Sequence, residues 1–232
     1  MHIPDGYLGP ATCVFFYIVM IPVWYKAFKM TSKYLSDKSV PMMGMLSAFV
    51  FLVMMFNWPV PDGTTAHMVG AVLVAILLGP WAAVIVVSVV LVIQAFFFGD
   101  GGLTSLAANC FNMAFVMPFT GYYVYKALMK FFGKENAKTM ALAAAIGGYV
   151  GINLAAFCAA VEFGIQPYIA PGYCPYGLNL SIPAMMLAHM LVAGPVEAVV
   201  TGSVIYYLKT YSPHLLELPK VMPGGESVGN VD

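Results

Sequence analysis

Apolar stretches separated by short polar breaks dominate the pattern of this chain. Seven of them are predicted to be helices that cross a bilayer. They cover about residues 10–31, 41–58, 66–78, 81–98, 104–131, 137–161 and 183–210. The third stretch is short for a bilayer, and Gly79-Pro80 separates it from the fourth. The pattern therefore predicts an all-α integral membrane protein, a bundle of about seven transmembrane helices.

Composition supports the membrane assignment. The 232 residues are 61% hydrophobic and only 9% charged, whereas soluble domains carry about a quarter charged residues. The long apolar stretches favour helices over the alternating strands of a barrel. We expect one transmembrane domain over residues 1–211 and a short cytoplasmic tail over 212–232.

The ten lysines predict which side of the bundle faces the cytoplasm, and the sequence contains no arginine. They lie at positions 26, 29, 33, 38, 126, 130, 134, 138, 209 and 220. Seven spans with the N-terminus outside and the C-terminus in the cytoplasm place every lysine on the cytoplasmic side. The opposite face then has a negative bias that would attract cations, from Asp5, Asp62, Asp100 and Glu162.

The first residues carry a metal-binding chemistry that internal residues lack. The amine of Met1, the backbone nitrogen of His2 and Nδ1 of His2 can close two chelate rings around one ion, leaving one corner of a square for another donor. Nitrogen donors in a plane suit Ni(II) and Cu(II). Because the amide must lose its proton, affinity should fall as pH drops. The first lysine is Lys26, after the apolar run, so no cleavable signal is expected and Met1 should be retained.

A second turn supplies a candidate for the fourth corner. Pro-Asp-Gly occurs at 4–6 and again at 61–63, where it leads to a histidine. We therefore predict that Met1, His2 and His67 are the metal ligands, which makes residues 1–211 a metal-binding domain. Asp5 and Asp62 would guide the ion, although an Asp-Gly pair also makes a turn by itself. For Asp62 and Asp100 the turn role is at least as well supported as metal contact.

Two ionisable residues, His189 and Glu197, lie in the last predicted span. They are eight positions apart and so share roughly one helix face. A carboxylate inside a span is costly and points to a function. We interpret Glu197 as a hydrogen-bonding strut, because Gly194-Pro195 just before it leaves backbone groups that need partners. His189 is interpreted as a partner behind the ligands rather than a ligand.

Neutral polar and small residues predict contacts between helices. Those assigned to interhelical hydrogen bonds, some of which would hold outer loops over the metal, are Gln94, Asn109, Asn112 and Asn153. Small residues recur every four positions at Ala143, Gly147, Gly151 and Ala155. Such a face lets another helix approach closely, and it could serve packing within the chain or docking of a partner.

Other chemistries find little support in the sequence. The four cysteines show no paired spacing, so neither a disulfide framework nor a thiolate site is expected. No phosphate-binding loop, zinc-enzyme signature or nucleophile–His–acid set occurs. We therefore expect no enzyme and no organic cofactor. Without a basic patch interleaved with aromatic residues, nucleic acid is not an expected partner.

Several of these stretches together resemble a known family. They are Met-His-Ile-Pro-Asp-Gly at 1–6 and the segments 64–67, 75–82, 94–102 and 109–114. They are similar to the substrate-binding membrane subunit, or S component, of energy-coupling factor nickel and cobalt transporters of the NikM/CbiM type. The match covers nearly the whole chain. Its most specific parts are the first six residues and the stretch QAFFFGDGG at 94–102.

The resemblance implies a seven-helix S component with an extracellular N-terminus, in the plasma membrane of a bacterium or archaeon. In that family the Met1 amine, the amide and imidazole nitrogens of His2 and the imidazole of His67 hold the ion in a plane. The implied partners are a transmembrane T subunit, two cytoplasmic ATPases and a small accessory N-type membrane subunit. The last is expected as a separate chain, because the polar tail contains no further span. Ni(II) is the expected substrate and Co(II) the second.

Two other functions remain open at this point. One is a stand-alone carrier that couples metal movement to protons through His189 and Glu197. The other is a copper-handling protein that uses some of the seventeen methionines, although Met more often fills apolar cores. The absence of charge pairs through the membrane argues against the first, and the positions of the methionines argue against the second.

Overall fold

The computed structural model describes residues 1–34, 39–61, 64–217, 220–221 and 227–228. The α-helices are α1 (Pro10–Tyr34), α2 (Ser39–Met55), α3 (Ala71–Leu78), α4 (Pro80–Ile93), α5 (Leu106–Cys110), α6 (Met117–Phe132), α7 (Ala137–Gly164), α8 (Gln166–Ile169), α9 (Leu178–Ala188) and α10 (Gly194–Tyr211). Three π-helical turns cover Gln94–Phe98, Phe111–Val116 and His189–Ala193, and a 3₁₀ turn covers Pro213–Leu216. The strands are β1 (Asn57–Pro59), β2 (Thr65–His67), β3 (Lys220–Val221) and β4 (Ser227–Val228), which pair as β1–β2 and β3–β4.

The mostly helical fold confirms the predicted class. Because the π turns continue the flanking helices, the described residues form helical segments at each of the seven predicted places. Four are long and apolar enough to cross a membrane, namely Pro10–Lys33, Pro80–Phe98, Ala137–Ile169 and Leu178–Tyr211, while Ser39–Met55 is shorter. The sides on which the two termini lie remain a prediction.

The outer surface of the bundle is apolar and its interior holds polar groups. Large apolar side chains of α1, including Phe15 and Ile18, are exposed. By contrast, Gln94, Asn112 and Glu197 are completely buried. Every residue of α3 is buried as well, so this short helix lies inside the bundle. This inverted distribution is what a lipid environment selects.

The predicted bounds of the second and third spans are wrong at the point where they meet. Helix α2 ends at Met55, and Asn57 then pairs with His67 in the antiparallel ladder between β1 and β2. Helix α3 begins only after Gly70, which has a φ of 80°. Hydropathy marks only a break here, because Asn57, Pro59 and His67 are less apolar than the flanking helices, and it does not show that the two sides of the break pair as strands. His67 therefore ends a strand instead of lying within a helix.

The small-residue face of α7 packs inside the chain. A Cβ at Gly147 would lie 2.6 Å from the backbone oxygen of Gly121 in α6, and one at Gly151 would lie 2.8 Å from the oxygen of Met117. Ala143 and Ala155 on the same face are fully buried. Of the two uses considered for this face, the structure shows packing of α7 against α6.

Of the predicted interhelical hydrogen bonds, that of Asn112 is confirmed and that of Asn153 is wrong. Asn112 donates to Glu162 Oε2 on α7 over 2.7 Å. Asn153 instead donates to the Tyr149 carbonyl of its own helix, an acceptor available without a second helix. Gln94 is completely buried, and its side chain interacts with His2 of the N-terminal segment.

Candidate metal centre

The N-terminal segment is buried inside the bundle. The side chains of Met1 and Ile3 have no exposed surface and His2 is only 4% exposed. Asn109 on α5 clamps the segment, because its Oδ1 accepts from the Ile3 N–H over 2.8 Å and its Nδ2 donates to the Ile3 oxygen over 3.0 Å. The side chain thus pairs with this backbone as a neighbouring strand would. Asn109 is therefore a loop-positioning residue.

Two further loops hold the same segment. Ser105 Oγ and the Gly102 N–H both donate to the Ile3 oxygen, over 2.6 and 2.9 Å. Thr64 Oγ1 donates to the His2 oxygen over 2.7 Å, and the Met1 amine donates to the Thr65 oxygen. These two hydroxyl groups were not predicted from the sequence. Thr64 lies in one of the segments that resemble the family, whereas Ser105 lies in none of them.

Asp5 fixes the loop that follows the Gly99-Asp100-Gly101-Gly102 turn. Its carboxylate accepts from the backbone N–H groups of Leu103 and Thr104 over 3.0 and 2.8 Å. Partial burial acts to raise the pKa of Asp5, but the hydrogen bonds from Thr104 and Leu103 outweigh it and lower the pKa. Asp5 therefore holds two loops together. Asp62, the other acid proposed to guide the ion, lies outside the described residues.

The two candidate imidazole ligands lie side by side. The ring centroids of His2 and His67 are 4.6 Å apart and their planes differ by 23°. A metal–nitrogen bond of about 2.0 Å and roughly 1.1 Å from nitrogen to ring centre place two imidazoles bound at a right angle about 4.4 Å apart. The observed separation is close to this value, and it is also that of two stacked rings.

The ring nitrogens that would bind this ion are not engaged elsewhere. Within the described part of the chain, neither ring nitrogen of His2 has a hydrogen-bond partner of normal geometry, although the Gln94 side chain lies close enough to influence the ring, and Nε2 of His67 has no partner. His67 Nδ1 is occupied, since it lies 3.0 Å from the Met68 carbonyl oxygen. This hydrogen bond requires the proton to be on Nδ1 and leaves the lone pair of Nε2 for a metal.

Burial keeps both imidazoles in their metal-binding form. Desolvation, with a smaller contribution from the positive N-terminus, lowers the pKa of His2 to about 3. The same two causes, in the same order, lower the pKa of His67 well below its usual value. Both rings are therefore neutral near pH 7, and neutral imidazole is the form that coordinates a metal.

Asp100 lies beside this pair of rings. Its Oδ1 is 3.2 Å from His2 Nδ1, although the two atoms do not form a hydrogen bond. Burial raises the pKa of Asp100, partly opposed by the N-terminal charge. Gly101 follows with a φ of 87°, and a Cβ there would lie 3.3 Å from His2 Cδ2. Asp100 therefore belongs to the turn that encloses His2.

His189 and Glu197 make separate contacts. His189 Nδ1 lies 2.8 Å from the Met185 oxygen, and its Nε2 has no hydrogen-bond partner among the described residues. The π turn that contains His189 packs against β2, which carries His67. Glu197 accepts from the N–H groups of Val69 and Gly70 instead. The structure thus brings both residues near the metal centre without pairing them.

Side chains alone do not form this centre. Among the described residues there is no group of three or more His, Cys, Asp or Glu suited to hold a metal. The donors that come together are two imidazoles, the N-terminal amine and a backbone nitrogen. A search for clusters of ligating side chains would therefore miss it.

Comparison with known proteins places the chain in a family. Residues 2–215 match the family model described as the cobalt uptake substrate-specific transmembrane region, CbiM. The chain belongs to the CbiM family. A relative from Methanocaldococcus jannaschii, assigned to metal transport, is 58% identical over 93% of this chain and 94% of its own length.

One further relative and one solved structure extend the comparison. The fused nickel transport protein NikMN of Rhodobacter capsulatus is 45% identical over 93% of this chain, which spans 64% of the fused protein. A solved structure described as a truncated transition metal transporter has 52% identity and a TM-score of 0.86. That match covers 90% of this chain and 98% of the solved one.

Proposed function

We propose that this CbiM family member captures Ni(II), with Co(II) as its second substrate, at the extracellular face of the membrane for ATP-driven import. Its role is that of the S component of an energy-coupling factor transporter. The observation that carries the proposal is the buried N-terminal segment, which sets His2 beside His67 with ring nitrogens unengaged. The names of the relatives, which include both nickel and cobalt transport, support the same substrates.

The proposed ligands are the Met1 amine, the deprotonated amide and Nδ1 of His2, and Nε2 of His67. Four nitrogen donors in a plane favour Ni(II), whereas Co(II) accepts a strict plane less readily. A divalent ion bound to one deprotonated amide keeps one net positive charge. The Asp100 carboxylate, 3.2 Å from His2 Nδ1 before the metal enters, would balance that charge.

The charges at the two ends of the bundle support the proposed direction of transport. Glu197, near the metal centre, lies in the first turn of α10, and the last turn of that helix carries Lys209. The last turn of α6 likewise carries Lys130. Because lysines favour the cytoplasmic side, we infer that the metal centre opens outward in the plasma membrane. The T subunit and ATPases would then dock from the lysine-rich side, with a separate N-type subunit.

Calorimetric titration with Ni(II), Co(II), Cu(II) and Zn(II) tests the ligand set, using protein whose first residue is verified as an unmodified Met1. His67→Ala removes one corner of the plane, and one alanine added before Met1 moves the amine out of its chelate ring. Each change should weaken nickel binding at least about 100-fold, because a planar site loses a strong donor. His214→Ala, on the exposed 3₁₀ turn, is the matched control and should bind like the wild type. Unchanged nickel binding in either ligand variant would refute the site.

Vesicle uptake separates the proposed importer from the stand-alone carrier. The importer predicts nickel uptake only when the T subunit, the ATPases and ATP are present. The carrier predicts uptake by this chain alone, driven by a pH gradient and lost in Glu197→Gln. Hydrogen bonds from two backbone amides already occupy the Glu197 carboxylate, which favours the importer.

A further inference from the structure

A carboxylate from α10 reaches the residues that directly follow His67. Glu197 is completely buried. Its Oε2 accepts from the Val69 N–H over 2.9 Å and from the Gly70 N–H over 2.9 Å, and its Oε1 is 3.2 Å from the latter. Gly70 is the N-cap of α3 and provides no side chain to cap that helix. Glu197 thus supplies, from 127 residues away, the acceptor that the helix end needs.

One of these hydrogen bonds leads to the imidazole of His67 through a single peptide unit. The Met68 carbonyl oxygen, 3.0 Å from His67 Nδ1, and the Val69 N–H, which donates to Glu197, belong to the same peptide bond. Because a peptide bond is planar and stiff, fixing its N–H also fixes its carbonyl. The contacts therefore form a chain from carboxylate to peptide to imidazole, which ends at the unengaged Nε2 atom.

The position of Glu197 is itself fixed by close packing. Gly148 on α7 leaves room for it, since a Cβ at that position would lie 3.3 Å from Glu197 Cγ and 3.4 Å from Thr201 Oγ1. Thr201 Oγ1 lies 3.5 Å from Glu197 Oε1, a weak contact within α10. The carboxylate is thus held between α7 and α10 and pointed at the turn before α3.

We propose that Glu197 is a positioning residue for nickel that orients and polarises His67 through the Met68–Val69 peptide. It acts as the carboxylates behind metal-bound histidines do, with a peptide unit between the two side chains. Aligned hydrogen bonds polarise one another, so the relay also strengthens the donor at Nε2. This inference rests on the proposed function, because it requires that His67 bind the metal.

The test compares Glu197→Gln with Ser203→Ala in the full-length protein. Glu197→Gln removes the charge and one acceptor, whereas Ser203→Ala alters an exposed position of the same helix. We expect Glu197→Gln to weaken nickel binding about 10- to 100-fold and to shift the visible absorption of bound nickel to longer wavelength, because His67 becomes a weaker donor. Ser203→Ala should change neither. If Glu197→Gln fails to fold, Glu197→Asp, which keeps the charge but shortens the reach, takes its place.

A double-mutant cycle distinguishes positioning from a general effect on the bundle. In a His67→Ala background the relay has no ligand to act on. Adding Glu197→Gln should then change the residual nickel affinity by no more than about twofold. An equal loss of affinity with and without His67, or unchanged affinity in Glu197→Gln, overturns the inference. A wild-type chain that binds no nickel, or His67→Ala that binds normally, instead shows that the proposed function itself has failed.

Discussion

Around the N-terminal segment, several imidazole nitrogens are buried without hydrogen-bond partners among the described residues, whereas α6 and α7 meet through close backbone packing. The first region has unengaged nitrogens on His2, His67 and His189. The second relies on glycines whose missing side chains let two backbones meet, as at Gly121 and Gly147. Unpaired buried polar groups are costly, so a protein retains them where a ligand completes them. We therefore expect the contact between α6 and α7 to serve the fold and the region around the N-terminal segment to serve the proposed metal binding.

The largest expected effect comes from closing the glycine contact. In Gly147→Val the new side chain would meet the Gly121 oxygen, which is backbone and cannot turn aside. Overpacking of this kind costs about 3 kcal/mol and should lower the melting temperature in detergent by roughly 10 °C. The control is Gly44→Ala on α2, where a Cβ meets no atom within 4 Å. Equal melting temperatures for the two variants would contradict this account of the contact.

A smaller effect is expected from removing the side chain that holds the N-terminal segment, because the contact between α6 and α7 is unchanged. Asn109→Ala removes both hydrogen bonds to the Ile3 backbone and leaves the Ile3 N–H without its acceptor. That loss is worth about 1–3 kcal/mol, so nickel affinity should fall about tenfold or more. The control is Asn153→Ala, since Asn153 bonds only within its own helix. A melting temperature that falls as far as in Gly147→Val would show that Asn109 belongs to the fold instead.

The smallest expected effect is on the number of protons that are released when nickel binds. Because burial keeps the pKa of His2 at about 3 and lowers that of His67 far below normal, neither ring has a proton to release near pH 6. Nickel binding at that pH should therefore release about two protons, from the amine and the amide. Imidazoles with ordinary pKa values would raise the number to about three and a half. Calorimetry in buffers of different ionisation enthalpy measures the number of protons released. A number above three would show that the imidazoles of His2 and His67 are charged before binding.

The sequence predicts the parts of this molecule that depend on hydropathy and on local spacing. Runs such as 10–31 and 137–161 lie close to the observed helices Pro10–Tyr34 and Ala137–Gly164. The four-residue spacing of Gly147 and Gly151 predicts a face that another helix approaches closely. The Pro-Asp-Gly turns point to His2 and His67, which the structure then brings together.

Features that depend on distant partners are not visible in the sequence. The β1–β2 hairpin lies at a polar break between apolar stretches, and hydropathy does not show that the two sides of this break pair as strands. The π turns add one residue to a helical turn, and they place Gln94, Asn112 and His189 inside the bundle. Glu197 could be interpreted as a strut, but its partners at Val69 and Gly70 lie more than 120 residues away. Such contacts exist only after the helices have packed.

The complete burial of Met1 has a consequence for how the protein is made. Its amine lies against the Thr65 oxygen, and an acetyl or formyl group would turn it into an amide that no longer offers a basic lone pair to a metal. For the proposed site to form, any such cap would have to be absent before the helices assemble around this residue. Processing of the newly made chain would then decide what fraction of the molecules can hold a cation.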